Sequence, residues 1–214
     1  MKRFITFEGI EGSGKSTQIS LAAEYLNKNN VPHLVTSEPS GTDIGRKIGD
    51  ILFNRGNNHL SAEAELLLFC AARAQHVREV IIPALKGDNV VLCDRFSDAT
   101  CAYQGAGRGL NSEHIKIIND YSAMNLKPDL TLLFDLPVEI GLKRAIKRND
   151  SLKDSSFSDR FEREDIEFHS RVREAYLYIY KREPQRLRII DATRDIEKVQ
   201  DEVRGHLMSI LNMK

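Results

Sequence analysis

Hydrophobic positions along the chain alternate between two spacings. Short runs rich in β-branched and aromatic residues occur at Phe4–Glu8, His33–Ser37, 89–93, 130–134 and 188–190, and each predicts a strand. The runs at 89–93 and 130–134 are apolar almost throughout, the mark of strands covered on both faces. Between the strands, apolar residues recur at helical spacing over Lys15–Lys28, Asp43–Phe53, 113–123, 138–148, 165–180 and Ile196–Leu211. Thr42 is the N-cap that the second of these helices requires. Ser61 opens a longer helix reaching residue 85, with Leu66, Phe69, Val77 and Val80 on its apolar face and Pro83 set to end or bend it. Five strands separated by helices make repeated βαβ units. They predict an α/β protein, a five-stranded parallel sheet with helices on both faces.

One stretch departs from this alternation. Over 149–163 Ser, Asp and basic residues dominate, and a segment so polar cannot bury itself. It predicts a mobile surface loop, either a tolerated insertion or a lid. Composition narrows the class further. The chain has 214 residues, one domain's worth, at 41% hydrophobic and 29% charged. Its 31 basic residues balance 31 acidic ones, so there is no basic surplus of the kind duplex nucleic acid selects, and no nucleic-acid partner is expected. No apolar run is long enough for a membrane span, and the start MKRFITFEG lacks the core and cleavage site of a signal peptide. Cys70, Cys93 and Cys101 lack metal-ligand spacing and read as reduced thiols of a cytoplasmic protein. His33, His59, His76, His114, His169 and His206 also lack metal spacing and are expected on the surface or in helices.

The strongest chemical signal is Gly9-Ile10-Glu11-Gly12-Ser13-Gly14-Lys15-Ser16-Thr17, a full match to G-x-x-x-x-G-K-[ST]. It follows the first strand and opens the first helix, as the motif requires. Glycines let successive backbone N–H groups turn toward a phosphate, and the helix start adds its own unpaired N–H groups. Lys15 supplies a charge to the transferred phosphoryl group, and Ser16 a hydroxyl to Mg²⁺. Asp94 ends the third strand on the same carboxyl edge and is the candidate second metal ligand, with Arg95 beside it.

Three clusters are candidates for a second substrate. Phe69 and Arg73 lie four apart on the long helix and share a face, one ring and one guanidinium. Glu38 to Thr42 follow the second strand. Residues 94–108 mix polar, aromatic and glycine residues, poor helix material in their second half and good ligand-contact material.

The phosphate loop, SEPSGT (37–42), FCAAR (69–73), DRFSDATCAYQGAGR (94–108), PDLTLLFDLP (128–137) and DRFE (159–162) together closely resemble the thymidylate kinase (dTMP kinase) family over nearly the whole chain. That resemblance implies one nucleoside-monophosphate-kinase-like domain over residues 1–214, of three-layer phosphate-loop kinase fold, with a mobile lid near 149–163. It implies ATP and dTMP as substrates, Mg²⁺ as cofactor, a homodimer, and direct in-line phosphoryl transfer. Carried onto this chain, Phe69 stacks on thymine, Arg73 binds the base edge and acceptor phosphate, and Arg95 holds that phosphate near the donor. Thr100 and Gln104 lie along the nucleotide, Tyr103 sits under the sugar and disfavours a 2′-hydroxyl, Glu11 meets the 3′-hydroxyl or a neighbouring arginine, and Glu38 lines the pocket. Gly12 places the chain in the variant that supplies its basic group from the lid, with Arg148 as the catalytic arginine and Arg144 and Arg160 in support. Ile146 stands where a basic residue is common, and the lid is longer than usual. The loop 191–194, with Ala192 and Thr193, resembles the adenine-contact loop. A deoxynucleoside kinase and a nucleotide-dependent switch are the rival readings; the chain lacks the guanine-reading N-K-x-D motif of the latter.

Overall fold

The computed structural model describes residues 3–57, 59–151 and 160–213, so residues 152–159 of the expected lid lie outside the described residues. Five parallel strands form one sheet: β1 (Phe4–Glu8), β2 (His33–Ser37), β3 (Val90–Asp94), β4 (Leu130–Asp135) and β5 (Leu187–Asp191), in the order β2-β3-β1-β4-β5. β3 ends one residue later than its apolar run, because Asp94 is in register with both Phe7 and Ser37. Helices fill the connections: α1 (Lys15–Lys28), α2 (Asp43–Phe53), α3 (Ala62–His76), α4 (Ile82–Lys86), α5 (Ser97–Thr100), α6 (Ser112–Ser122), α7 (Val138–Ser151), α8 (Ile166–Arg182) and α9 (Ile196–Leu211). Thr42 and Ser61 cap α2 and α3, accepting from the N–H groups of Gly45 and Ala64.

Side chains alternate across the strands and bury both faces. Ile5, Phe7, Leu92 and Leu132 join Ile19, Ala22 and Leu26 of α1 and Val203 and Leu207 of α9 in one cluster. Phe4, Val91 and Cys93 belong to a second, with Val77 and Ile81. Those two residues lie in a π-helical turn, Val77–Ile81, that links α3 to α4 just ahead of Pro83. The helix therefore widens where proline removes a donor, and continues beyond it to Lys86.

The glycine-rich second half of 94–108 is helical, contrary to its composition: α5 runs into a π-helical turn, Cys101–Gly107. Packing explains the glycine at its end, since a Cβ on Gly107 would sit 2.6 Å from the Phe168 ring of α8.

Gly141 in α7 presses on the loop after β1. A Cβ there would lie 2.6 Å from the Glu11 carbonyl oxygen. Gly141→Ala, which on helix propensity alone would stabilise α7 by about 1 kcal/mol, is expected to destabilise the fold by about 1–3 kcal/mol through overpacking. Urea unfolding measures this; a raised midpoint would show that α7 does not bear on the loop.

Candidate active site

β1 delivers the chain into the phosphate loop with its three glycines at positive φ: Gly9 at 140°, Gly12 at 68° and Gly14 at 87°. At Gly12 the need is also steric, because a Cβ would fall 2.0 Å from the Gly141 carbonyl oxygen. Gly14 is the N-cap of α1 without a side-chain cap, so the first-turn N–H groups have no side-chain acceptor there. Lys15 folds over the loop, its Nζ donating to the carbonyls of Gly9 (3.0 Å) and Ile10 (3.0 Å) and to Ser13 Oγ (3.2 Å). Burial, with Arg95 nearby, pulls its pKa down to about 8. Ile10 is buried and belongs to the core cluster. Ser16 Oγ donates to Asp94 Oδ2 at 3.1 Å, so the strand-end carboxylate meets the loop as its position required.

A cavity of about 220 Å³ opens beside the loop. Its lining includes Glu11, Gly12, Lys15 and Ser16 from the loop region, Glu38 beyond β2, and Phe69 and Arg73 from α3. Asp94, Arg95, Thr100, Tyr103 and Gln104 follow from β3 onward, and Arg148 reaches in from α7. A second cavity of about 290 Å³ lies on the other side of the loop, lined by Gly12, Ser13, Gly14, Thr17, Arg144, Ala192 and Arg194. Gly12 belongs to both. Arg144 Nη1 donates to the Ala192 carbonyl at 2.8 Å. Thr193 is turned to Asp191, to whose Oδ1 its N–H and Oγ1 donate, and does not line that cavity.

Two guanidinium groups form the polar floor of the first cavity. Arg73 is 1% exposed. It donates through Nε to Glu38 Oε2 (2.8 Å), through Nη1 to Asn119 Oδ1 (2.6 Å), and through Nη2 to the Phe96 carbonyl (3.1 Å) and Thr100 Oγ1 (3.0 Å). Arg95 sits at φ 68°, a left-handed backbone that a non-glycine residue adopts only under constraint. Its Nη2 donates to Glu11 Oε1 (3.0 Å) and Tyr103 Oη (3.0 Å), and Tyr103 in turn donates to Glu11 Oε1 at 2.7 Å. Burial alone would raise the Glu11 carboxyl, but His169, Arg95 and Lys15 outweigh it and hold the pKa at about 2.

Several participants carried no signal of their own in the sequence. His76 and His169 are not surface residues: both are fully buried on α3 and α8. The imidazole of His76 lies between Thr36 Oγ1 (2.6 Å) and Glu38 Oε1 (3.3 Å), and Nδ1 of His169 lies 3.4 Å from Glu11 Oε2. Phe53 and Phe161 add apolar wall opposite Phe69, with ring centroids 6.3 Å and 6.2 Å from it. Arg160 is bound to Glu65 Oε2 (2.8 Å) and does not line the cavity, whereas Arg148 does and donates to Glu162 Oε1 at 2.7 Å. α8 also reaches the site, since Tyr176 Oη donates to Glu8 Oε2 (2.7 Å) and accepts from Arg95 Nη1 (3.2 Å).

Residues 7–203 match the family model described as thymidylate kinase. The chain is 52% identical over 207 residues to a protein named thymidylate kinase from Syntrophus aciditrophicus, covering 97% of this chain and 94% of that one. A thymidylate kinase from Pelobacter propionicus is 50% identical over 208 residues, with 97% and 94% covered. The crystal structure of thymidylate kinase from Ehrlichia chaffeensis superposes with a TM-score of 0.76 at 36% identity, covering 96% of this chain and 98% of that one.

Glu8 gives the site a measurable pH signature. Burial, and then Asp98, push its carboxyl from the ordinary 4.5 up to about 8. The folded protein thus keeps this proton while the unfolded chain releases it. The stability tied to the protonated form is full below pH 4.5 and is lost as pH rises through about 8. Glu8→Gln is expected to gain stability relative to the parent between those pH values, read from urea unfolding at pH 5 and 8. An equal difference at both would show that Glu8 does not titrate as described.

Proposed function

The chain belongs to the thymidylate kinase family, and we propose that it is a single nucleoside-monophosphate-kinase-like domain transferring the γ-phosphoryl group of ATP to dTMP. The products are ADP and dTDP, and the transfer is direct and in line. One observation carries this reading: Gly12 lines both cavities, so a triphosphate on the loop and a monophosphate on the paired arginines meet at the same backbone. ATP lies in the cavity of Arg144, Ala192 and Arg194, with its phosphates on residues 9–17. dTMP lies in the other, its ring against Phe69 and its phosphate between Arg73 and Arg95.

The acceptor is already an anion, so no strong base is needed. The work lies in holding two polyanions together and offsetting their repulsion. Lys15 and Arg95 are aimed at charge on the transferring group, and Arg148 approaches from α7. Tyr103, held between Arg95 and Glu11, stands under the sugar. Glu11 and Glu38 are each committed to a guanidinium, which leaves neither placed as a base for a sugar hydroxyl, the chemistry a deoxynucleoside kinase requires. Ser16 and Asp94 are hard oxygen donors 3.1 Å apart. Among the described residues no group of three or more His, Cys, Asp and Glu is placed to hold a metal. That donor set suits Mg²⁺, an ion that keeps water and phosphate oxygens as its remaining ligands and screens phosphate charge when bound. The segment at 149–163 acts as a lid that keeps water from replacing the acceptor.

Leu67 on α3, and Ile117 and Tyr121 one turn apart on the neighbouring α6, are exposed apolar side chains, Tyr121 at 86%. They form the contact of a homodimer. The enzyme works in the cytoplasm; among the described residues no helix is long and apolar enough to cross a membrane.

ADP release across nucleoside monophosphates and nucleosides tests the reaction: dTMP is expected to be the preferred acceptor, and preference for thymidine would overturn the reading. Lys15→Ala and Arg95→Ala are each expected to lower turnover by roughly 10²-fold or more. Sedimentation is expected to show a dimer that Tyr121→Asp dissociates; a parent sedimenting as a monomer contradicts it.

A further inference from the structure

Gln104 lines the acceptor cavity and is only 2% exposed. Its Nε2 donates to Glu65 Oε1 at 2.9 Å. Glu65 is wholly buried, and the groups around its carboxylate are donors: Arg108 Nε on Oε1 (3.2 Å), Arg108 Nη2 on Oε2 (3.2 Å) and Arg160 Nη2 on Oε2 (2.8 Å). A side-chain amide can point either its carbonyl or its NH₂ at a neighbour, but a carboxylate gripped by two guanidinium groups only accepts. The amide of Gln104 therefore has one permitted orientation. Its NH₂ goes to Glu65, and Oε1, which has no partner among the described residues, is the end left for the cavity.

We propose that Glu65 is a positioning residue that sets base selectivity, by locking Gln104 so that the cavity presents a hydrogen-bond acceptor, and no donor, at this point of its wall. The inference rests on the reading of this cavity as the acceptor-nucleotide site. An acceptor complements the ring N3–H of thymine or uracil. Cytosine carries a bare ring nitrogen at that position, and meets acceptor with acceptor. A site that leaves buried polar groups unpaired in this way discriminates strongly. The lock makes no distinction between thymine and uracil, whose 3,4-edges are alike.

The test is calorimetric binding of dTMP, dUMP and dCMP, run beside ADP-release turnover. In Glu65→Gln, the new amide can face the arginines with its oxygen and donate to Gln104, which turns the Gln104 NH₂ toward the base. The ratio of dTMP to dCMP affinity is expected to narrow by about tenfold or more, and the dTMP to dUMP ratio to hold. Gln104→Leu removes the amide and is expected to narrow the same ratio, which decides the matter should Glu65→Gln fail to fold. Arg160→Met leaves the carboxylate paired with Arg108 and is expected to keep the parent ratio. An unchanged dTMP to dCMP ratio in Gln104→Leu, or in folded Glu65→Gln, overturns the inference. Equal narrowing in Arg160→Met does so as well, because the cluster would then be scaffold alone. Selective dTMP binding without turnover would count against the kinase reading and leave the selectivity lock standing.

Discussion

The carboxylate of Glu11 joins the two halves of the site. It rides on the phosphate loop, yet one of its oxygens takes hydrogen bonds from Arg95 and Tyr103, and the other faces His169 of α8. Lys15 and Arg95 are cations at close quarters, and Arg95 is among the causes that pull Lys15 down to about 8. Without an anion between them, two buried positive charges would face each other in a low-dielectric cleft, at a cost of several kcal/mol. Glu11 offsets that repulsion and fixes where the guanidinium points. Glu38 does the same for Arg73. A chain with no net charge therefore holds a cleft rich in guanidinium groups, because each is matched locally by an acid.

Two acids three residues apart are shifted in opposite directions by their surroundings. Glu11, facing cations, is held at about 2, while Glu8, deeper and next to Asp98, is raised to about 8. Asp98 is itself engaged by Arg186 through both oxygens, at 2.7 and 3.0 Å. The ionised acid is thus at the cavity and the protonated one behind it, where Phe96 N–H and Tyr176 Oη bond to it. Tyr176 links the layers by also accepting from Arg95.

What the sequence disclosed follows from how local each signal is. The phosphate loop is a contiguous motif between a strand and a helix, and the Phe69–Arg73 pair follows from helical spacing, so both were readable. The parallel sheet followed from alternation, whereas its strand order, β2-β3-β1-β4-β5, did not. Glu65, Asn119, His76 and His169 were not readable, because nothing local marks them. Each acts only when another element brings it a partner: Asn119 of α6 meets Arg73 of α3, and His169 of α8 meets Glu11 of the loop. The π-helical turn at Cys101–Gly107 was hidden by its own glycines, which read as helix breakers until the Phe168 ring shows why a side chain is excluded. Phe161 was masked by the polar stretch before it, although its ring packs 5.6 Å from that of Tyr103.

The absence of a side chain at position 12 is a consequence of α7 as much as of the loop. The Gly141 carbonyl occupies the space a Cβ would need, so no basic residue at position 12 could fit beneath this helix. The same helix carries Arg144 and Arg148 one turn apart, on one face by helical spacing. Arg144 reaches the cavity of Ala192, and Arg148 the cavity of Arg73 and Arg95. The element that closes off a basic group from within the loop thus brings two from outside it, one to each side of Gly12. Charge at the junction of the cavities then depends on where α7 sits, and Gly141, with no side chain of its own, is what lets α7 sit so close.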